Sequence, residues 1–259
     1  RDCSQSRGLG DVYKRQPGYT ASGLVKPGKK VAHEMTLKDI EETIEAYASD
    51  AEFCEKIGFD GIEVHGAHGY LIDNFFWEGT NIREDEYGGT TDKRSKFVTD
   101  IIKAIRSRVS DDFIVGLRFS QWKQHDFNAK LADTSEELEK VIMPPVNAGL
   151  DYLHSSMRRF WEREFPNSDE NLAYWTKKIS NITTIGVGSV GLDTDFIDMT
   201  ASANPTSIDR AIEDISQNKY ELIAVGRALI ADPDWVIKMK TGRLSDVKPY
   251  TKESLFSLY

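Results

Sequence analysis

The 259-residue chain has little of what marks secreted, membrane-spanning or nucleic-acid-binding proteins. Its two cysteines, Cys3 and Cys54, are too few for a disulfide framework, and we expect a reducing compartment, the cytoplasm. No apolar run of about eighteen residues occurs and no apolar segment follows the N-terminus, which predicts neither a membrane span nor a secretory signal. The net charge of −9 would repel a nucleic-acid backbone. We therefore expect a small-molecule substrate and neither a nucleic-acid nor a membrane partner, with a homo-oligomer left open for a full-length parent.

The composition is also too ordinary for a fibrous or disordered protein. With 39% hydrophobic residues, 19 glycines and 8 prolines, the chain is neither collagen-like nor of low complexity, and it can bury one sizeable core. Residues 1–16 differ from the rest because they show little apolar periodicity, and we interpret them as a non-native or disordered leader. Residues 17–259 then form one domain, which opens with a predicted loop from Pro17 to Lys30.

A helix followed by a short apolar strand recurs five times along the chain. Thr36 and Asp39 predict a capped helix start, and Gly58 predicts its end. Further helices are predicted at Phe97–Val109, Thr134–Gly149, Leu172–Ile179 and Ile208–Ile215. The strands are predicted at Phe59–Val64, Phe113–Phe119, Asp151–His154, Thr183–Val187 and Tyr220–Val225. This alternation indicates parallel strands covered by helices, an α/β fold. Two consecutive prolines, Pro144 and Pro145, should kink or shorten the third of these helices.

Two architectures fit this alternation, a doubly wound sheet and a (β/α)₈ TIM barrel. Polar or glycine-rich groups follow every predicted strand: His65, His68, Arg118, Ser155, Ser156, Gly188, Ser189, Gly226 and Arg227. A barrel gathers all its strand ends around one pocket, whereas an open sheet concentrates its site at one switch point, so we favour the barrel. Only five strands are found, and we predict a TIM barrel truncated to its last five strand–helix units.

The sharpest chemical pattern closes the first strand, where His65 and His68 are followed by Tyr70. In a tight turn, two imidazoles could hydrogen-bond one substrate oxygen, and the phenol could deliver a proton. Two alternatives stay open at this point. The histidines could be packed or capping residues, or they could be two metal ligands, although zinc needs three or four.

Two glycine-containing motifs follow the last two strands. Gly188 and Ser189 come after one strand, and Gly226 and Arg227 come after the next. Glycines allow backbone N–H groups to approach an anion closely, and barrels often bind a phosphate after strands seven and eight. A tight turn and a surface salt bridge of Arg227 are the corresponding structural alternatives. The segment from Asn81 to Gly89 is predicted to be structural, with Arg83, Asp85 and Arg94 in ion pairs.

Several separated motifs together resemble the Old Yellow Enzyme family of flavin-dependent ene-reductases. They are Glu63–Ile72, Asn81–Gly89, Lys93–Phe97, Val115–Phe119, Gly186–Gly191, Val225–Leu229 and Asp232–Trp235, and they occur in family order. The resemblance implies that His65 and His68 bind the activating oxygen of the substrate and that Tyr70 donates the proton. It also implies that Arg118 lies beside the flavin pyrimidine edge, and that Gly188, Ser189, Gly226 and Arg227 hold the flavin phosphate.

The resemblance implies an FMN-dependent oxidoreductase, an NAD(P)H:flavin ene-reductase. NADH or NADPH would be the transient reductant, and an activated alkene such as an α,β-unsaturated carbonyl would be the substrate. No dinucleotide fingerprint follows a strand, so the nicotinamide is expected to use the same pocket. No metal is expected. Two alternatives are kept: a catalytically inert fragment unable to hold FMN alone, and a metal-dependent hydrolase using His65 and His68.

Overall fold

The structure of the protein, a computed structural model, describes residues 18–195 and 202–256. The predicted leader, residues 1–16, lies outside the described residues. The strands are β1 (Tyr19–Thr20), β2 (Leu24–Lys26), β3 (Lys29–Lys30), β4 (His33–Glu34), β5 (Gly61–His68), β6 (Ile114–Lys123), β7 (Tyr152–Ser156), β8 (Thr183–Val187) and β9 (Leu222–Ile223). The helices are α1 (Leu37–Lys56), α2 (Leu71–Phe76), α3 (Thr91–Arg94), α4 (Lys96–Arg106), α5 (Ser135–Asn147), α6 (Leu172–Ser180), α7 (Asp209–Ser216), α8 (Arg227–Ala231) and α9 (Trp235–Lys240). Short 3₁₀ helices follow at Leu244–Asp246 and Lys252–Leu255.

The central sheet has five parallel strands in the order β5-β6-β7-β8-β9, which is also their order along the chain. A doubly wound sheet reverses its strand order at a switch point, so the sequential order excludes that alternative for the described strands. It is the order of consecutive units in a (β/α)₈ barrel. All five strands predicted from the sequence are present.

The two faces of the sheet have different surroundings. Alternate residues such as Val64, Leu117 and Leu153 are buried against the helices. On the other face, the strand register aligns His65 with Arg118 and Arg118 with His154. Aligned residues of parallel strands point to the same side of a sheet, so these polar side chains share the face away from the helices.

The helix boundaries follow from the capping residues that the sequence contains. Thr36 accepts from the backbone of Asp39 and the Asp39 side chain accepts from Thr36, which forms the expected capping box of α1. Thr134 similarly accepts from Glu137 N–H at the start of α5. Gly58 has a φ of 95° and follows α1, as a helix stop requires. None of the helices among the described residues has the length and apolar character needed to cross a membrane.

The prediction that the prolines shorten α5 is wrong, because the helix continues through Pro144 and Pro145 to Asn147. Pro144 cannot donate to the carbonyl of Lys140, and the Ser95 hydroxyl lies 3.5 Å from that oxygen instead. Ala148 N–H donates to both proline carbonyls, at 3.2 Å each, and completes the last turn. The helix therefore continues through the two prolines, which lie in its final turn, and Ser95 offers a donor to the carbonyl that Pro144 leaves.

The predicted loop between Pro17 and Lys30 contains short strands. Of its described part, β2 and β3 form a small antiparallel hairpin, and β1 pairs with β4 in parallel. Asn74 holds this segment against α2, because its side-chain amide accepts from Ala21 N–H at 3.0 Å and donates to the Leu24 carbonyl at 2.9 Å. The hairpin is thereby fixed beside the end of β5.

The segment between Asn81 and Gly89 is structural, as predicted. Arg83 pairs with Asp85 at 2.5 Å and donates to the carbonyls of Ala21 and Met35, both at 2.6 Å. Arg94 donates to the Phe76 carbonyl at 2.8 Å, and its ion pair with Glu78 is looser, at 3.9 Å. Arg83 therefore joins the N-terminal segment to the loop that precedes α3, and Arg94 joins the end of α2 to α3.

Candidate active site

The turn that follows β5 has a backbone shape that few residues adopt. His68 and Gly69 both have positive φ, 66° and 83°. The pairing of β5 with β6 also shifts between Gly66 and His68, a bulge that redirects the strand end. Two side chains bind the turn: Ser120 Oγ accepts from His68 N–H at 2.9 Å, and Asp73 Oδ2 accepts from Gly69 N–H at 2.5 Å.

A buried ion pair lies under this turn. Lys123 Nζ is 2.8 Å from Asp73 Oδ1, and both side chains are 0% exposed. Lys123 also donates to the Gln121 carbonyl at 3.0 Å. Burial raises the pKa of Asp73 and lowers the pKa of Lys123, while the charge of each partner opposes that change. The pair connects the last residue of β6 to α2 and so fixes the position of the turn.

The turn brings His65, His68 and Tyr70 together. The ring centroids of the two histidines are 5.2 Å apart, and those of His65 and Tyr70 are 5.4 Å apart. Tyr70 is 53% exposed, and its hydroxyl oxygen accepts from Gln124 Nε2 at 3.2 Å. Because the oxygen is the acceptor in that bond, the phenol proton stays available for another group.

His68 is held more firmly than its neighbours. Its ring stacks on Trp122 with centroids 4.3 Å apart, and its Nε2 lies 2.8 Å from Ser156 Oγ. Burial, followed by the positive charge of Arg118, lowers the pKa of His68 from its ordinary value of 6.5 to about 3. The same two causes lower the pKa of His65. Both imidazoles are therefore neutral near pH 7.

The strand ends of β8 and β9 provide a different environment. Ser189 has a φ of 51°, and the N–H groups of Ser189 and Gly226 take part in no hydrogen bond among the described residues. A Cβ at Gly226 would meet no atom within 4 Å, so that position faces open space. Arg227 donates to Ser189 Oγ at 3.3 Å and to the carbonyls of Thr194 and Asp195 at 2.6 and 3.1 Å. Within residues 18–195 and 202–256 it forms no direct ion pair, so its charge can serve an anion.

One cavity of about 360 Å³ joins these two environments. Its lining includes His68, Arg118, Trp122, Gln124, Ser156, Gly188, Ser189, Gly226, Arg227 and Tyr250. Of the eight site residues named from the sequence, six line the cavity, and the other two, His65 and Tyr70, lie beside His68. The structure thus brings all eight residues together at the carboxyl ends of the parallel strands.

Sequence reasoning missed several residues of this site. From the sequence, Ser156 is only a polar residue at the end of a strand, whereas in the structure its hydroxyl contacts both His68 and Arg118. Trp122 and Gln124 lie just beyond the strand predicted at Phe113–Phe119, because β6 extends to Lys123. Residues 120–124 read Ser-Gln-Trp-Lys-Gln, which shows no alternation of polar and apolar side chains, so no sequence signal extends that strand. Nothing in the sequence pairs Asp73 with Lys123.

The metal alternative has no support among the described residues. No group of three or more His, Cys, Asp or Glu side chains in residues 18–195 and 202–256 is arranged to hold a metal ion. His68 Nε2 is already bonded to Ser156.

The family follows from comparison with known proteins. Residues 13–246 match the sequence profile of the NADH:flavin oxidoreductase / NADH oxidase family. The chain belongs to this family. The Old Yellow Enzyme resemblance is thereby confirmed as a family assignment, and the expected FMN, with NADH or NADPH as reductant, is what the family and its named relatives use.

Two curated relatives illustrate the match. The NADH oxidase of Thermoanaerobacter brockii is 34% identical over 226 residues, which are 83% of this chain and 31% of that protein. The NADPH dehydrogenase of Clostridium acetobutylicum is 29% identical over 228 residues, which are 86% of this chain and 62% of that protein. The chain therefore spans less than two thirds of either relative.

Two solved structures have the same fold. The old yellow enzyme from Trypanosoma cruzi superposes with a TM-score of 0.62 at 26% identity, over 82% of this chain and 52% of that chain. A morphinone reductase solved in complex with tetrahydroNAD gives 0.64 at 22% identity, with the same coverage of both chains. Together with the sequential parallel sheet, they confirm the TIM-barrel fold class, of which the described strands are five consecutive units.

The residues present fit an FMN molecule in the cavity. One end offers the guanidinium of Arg227 and the N–H groups of Ser189 and Gly226, which have no partner in the described part of the chain, and these donors suit a phosphate. Its other end has Arg118, whose buried Nε has no hydrogen-bond partner among the described residues. A buried, unsatisfied donor of positive charge suits the electron-rich edge of a reduced flavin.

Proposed function

We propose that this chain carries the substrate and cofactor site of an FMN-dependent oxidoreductase that reduces activated alkenes, with an α,β-unsaturated carbonyl as the substrate class. The observation that carries the proposal is the single cavity with His68 and Arg118 at one end and Gly226 and Arg227 at the other. When bound, FMN would supply the hydride chemistry, taking hydride from NADH or NADPH and giving it to the alkene.

The histidines orient the substrate and withdraw electron density from it. Both rings are neutral near pH 7, because burial and Arg118 lower their pKa values. A neutral imidazole offers one N–H donor, so the pair can hold a carbonyl oxygen by hydrogen bonds without transferring a proton to it. Such donors stabilise the negative charge that develops on that oxygen when the alkene accepts hydride.

Tyr70 completes the reduction by protonating the carbon next to the carbonyl. Its oxygen accepts from Gln124 Nε2 at 3.2 Å, which leaves its own proton free to leave toward the substrate. The bond from Gln124 also stabilises the phenolate that remains. Tyr70 is 53% exposed, so it can recover a proton from water after each turnover.

Arg227, Gly226, Gly188 and Ser189 would hold the phosphate of FMN, and Arg118 would contact the flavin ring. The support is chemical: among the described residues, the hydrogen bonds of Arg227 go to neutral oxygens, and the Gly226 position faces open space. Guanidinium groups bind phosphates strongly through paired N–H donors. Held this way, FMN would have its phosphate at the Arg227 end of the cavity and its ring toward His68 and Arg118.

The proposal is tested by loading the chain with FMN, removing free flavin, and reducing the complex anaerobically with NADPH or NADH. Mixing with 2-cyclohexenone should then restore the oxidised flavin spectrum, while the saturated ketone cyclohexanone should not. Reoxidation at equal rates with both ketones would contradict the proposal. A colourless chain after removal of free flavin would instead support the inert-fragment alternative.

A further inference from the structure

Ser156, the last residue of β7, joins two groups of the candidate site. Its hydroxyl oxygen is 2.8 Å from His68 Nε2 and 3.1 Å from Arg118 Nη2. The residue borders the cavity but is only 2% exposed, so its hydroxyl depends on partners within the chain. One serine therefore connects the imidazole to the guanidinium.

The donor and acceptor in each bond follow from the chemistry of the three groups. An arginine side chain has only donors, so the serine oxygen accepts from Arg118. The serine has one proton, and among residues 18–195 and 202–256 its hydrogen bonds offer only one acceptor, His68 Nε2. If the oxygen accepted from both neighbours, its own buried proton would have no partner, which is costly. Ser156 therefore donates to His68 Nε2.

We propose that Ser156 is a positioning residue that holds His68 as the neutral tautomer with its proton on Nδ1. A ring nitrogen that accepts a hydrogen bond carries no proton, so the single N–H of the neutral ring is on Nδ1. A second proton on the ring would meet the hydroxyl proton and would add a cation beside Arg118. The hydroxyl thus selects both the charge and the tautomer of His68.

Ser156 also holds the surface against which His68 lies. Its carbonyl accepts from Trp122 Nε1 at 3.0 Å, and the indole stacks on the imidazole with an angle of 22° between the ring planes. The hydroxyl and the carbonyl of one residue therefore fix the rotation and the plane of the ring. The consequence for substrate binding rests on the proposed function: His68 can donate to a substrate oxygen only through Nδ1–H.

The experiment is long-range ¹H–¹⁵N NMR of the full chain with ¹⁵N-labelled histidine, which distinguishes protonated from unprotonated ring nitrogens and needs no flavin. The His68 signals are assigned with His68→Gln. In the wild-type chain we expect a protonated Nδ1 and an unprotonated Nε2 across pH 6 to 8. In Ser156→Ala the two nitrogen signals should move toward each other as both tautomers become populated, and Ser156→Thr, which keeps a hydroxyl, should restore the wild-type pattern.

Ser155→Ala is the matched control. The Ser155 hydroxyl is equally buried but donates to Thr176 Oγ1 at 2.8 Å, on the helix-covered side of the sheet, so its loss should leave the His68 signals unchanged. A wild-type His68 protonated on Nε2 would overturn the proposal without any variant. Signals unchanged in Ser156→Ala would overturn it as well. Neither result depends on FMN, so a chain that binds no flavin would refute the proposed function and leave the tautomer assignment standing.

Discussion

The two ends of the cavity are built in opposite ways. At the histidine end, the turn after β5 is held by Ser120, Asp73 and the buried Lys123, and His68 is bonded to Ser156 and stacked on Trp122. At the arginine end, within the part of the chain that the structure describes, the N–H groups of Ser189 and Gly226 take part in no hydrogen bond, and Arg227 donates to uncharged oxygens. At the histidine end, the turn and His68 are held by bonds within the chain, and Arg118 Nε is left without a partner among the described residues, whereas the arginine end leaves several donors available.

The difference matches what each end is proposed to do. A group that orients a substrate and moves a proton must already be in place, because small displacements reduce catalysis strongly. A phosphate, in contrast, brings its own charge and acceptors, so its site needs donors that are not yet used. If variants at the histidine end mainly changed the affinity for FMN, and variants at the arginine end mainly changed alkene reduction, this comparison would be wrong.

The largest effect is expected from Tyr70→Phe, which removes the proton donor of the histidine end. Alkene reduction should slow by about 10²- to 10⁴-fold, the usual contribution of a general acid, while reduction of the flavin by NADPH stays within about twofold. Stopped-flow absorbance separates the two half-reactions. Tyr174→Phe, a change in α6 away from the cavity, is the control. Equal slowing of both half-reactions would remove Tyr70 from this role.

The buried ion pair under the turn of the histidine end is tested by Asp73→Ala, which leaves the Lys123 ammonium buried without its partner. The free energy of unfolding, measured by urea denaturation, should fall by roughly 3–5 kcal/mol. Glu42→Ala breaks the exposed pair of Lys38 and Glu42 on α1 and should cost only about 0.5 kcal/mol.

A double variant sharpens the same test. Asp73→Leu with Lys123→Met removes both buried charges, so it should be more stable than Asp73→Ala alone. It also removes the acceptor for Gly69 N–H, so the turn should be looser than in the wild type. A double variant less stable than the single one would show that the ion pair is not what holds the turn.

The arginine end is tested by Arg227→Met, with the affinity for flavins measured by quenching of flavin fluorescence. Affinity for FMN should fall by roughly ten- to a hundredfold, the loss expected for a charge-assisted hydrogen bond, while affinity for riboflavin, which has no phosphate, should not change. Arg210→Met is a matched control, because Arg210 also donates to two carbonyls but lines a different surface. Equal losses for FMN and riboflavin would place the phosphate elsewhere.

Residues adjacent in sequence allowed accurate prediction, and residues brought together by the fold did not. The capping box of Thr36 and Asp39 and the stop at Gly58 are local patterns with a direct physical cause, and the helix follows them. The five strands were identifiable because each is a short apolar run. Because the carboxyl ends of parallel strands meet at one edge of a sheet, the residues that follow the strands lie close together in the structure, and their roles stay a prediction.

The contacts that decide the chemistry connect distant parts of the chain. Ser156 meets His68 across 88 positions, and Lys123 meets Asp73 across 50 positions. Neither pair has a sequence spacing that predicts it, because the parallel register and the bulge before His68 create both contacts. The proline error in α5 has the same origin, since the replacement donor comes from Ser95, 45 positions away.

The smallest expected effect is the contribution of His68 to the pH dependence of the free energy of unfolding. His68 has a pKa of about 3 in the folded chain and an ordinary value of 6.5, lowered by burial first and then by the charges of Arg118, His65, Lys123 and His154. Between those two values the unfolded chain binds more protons than the folded chain. The contribution of neutral His68 is thus fully present above pH 6.5 and is lost as the pH falls toward 3.

Replacing His68 with glutamine removes this contribution. His65 and His125 also have lowered pKa values, so the wild-type chain and His68→Gln will both lose stability in acid. The wild-type chain should lose more, by on the order of 1 kcal/mol between pH 7.5 and pH 5, because water partly screens a half-buried ring. Urea denaturation at both pH values measures the difference. Parallel losses in the two chains would mean that His68 is not held neutral, and the two ends of the cavity would then differ less than their contacts indicate.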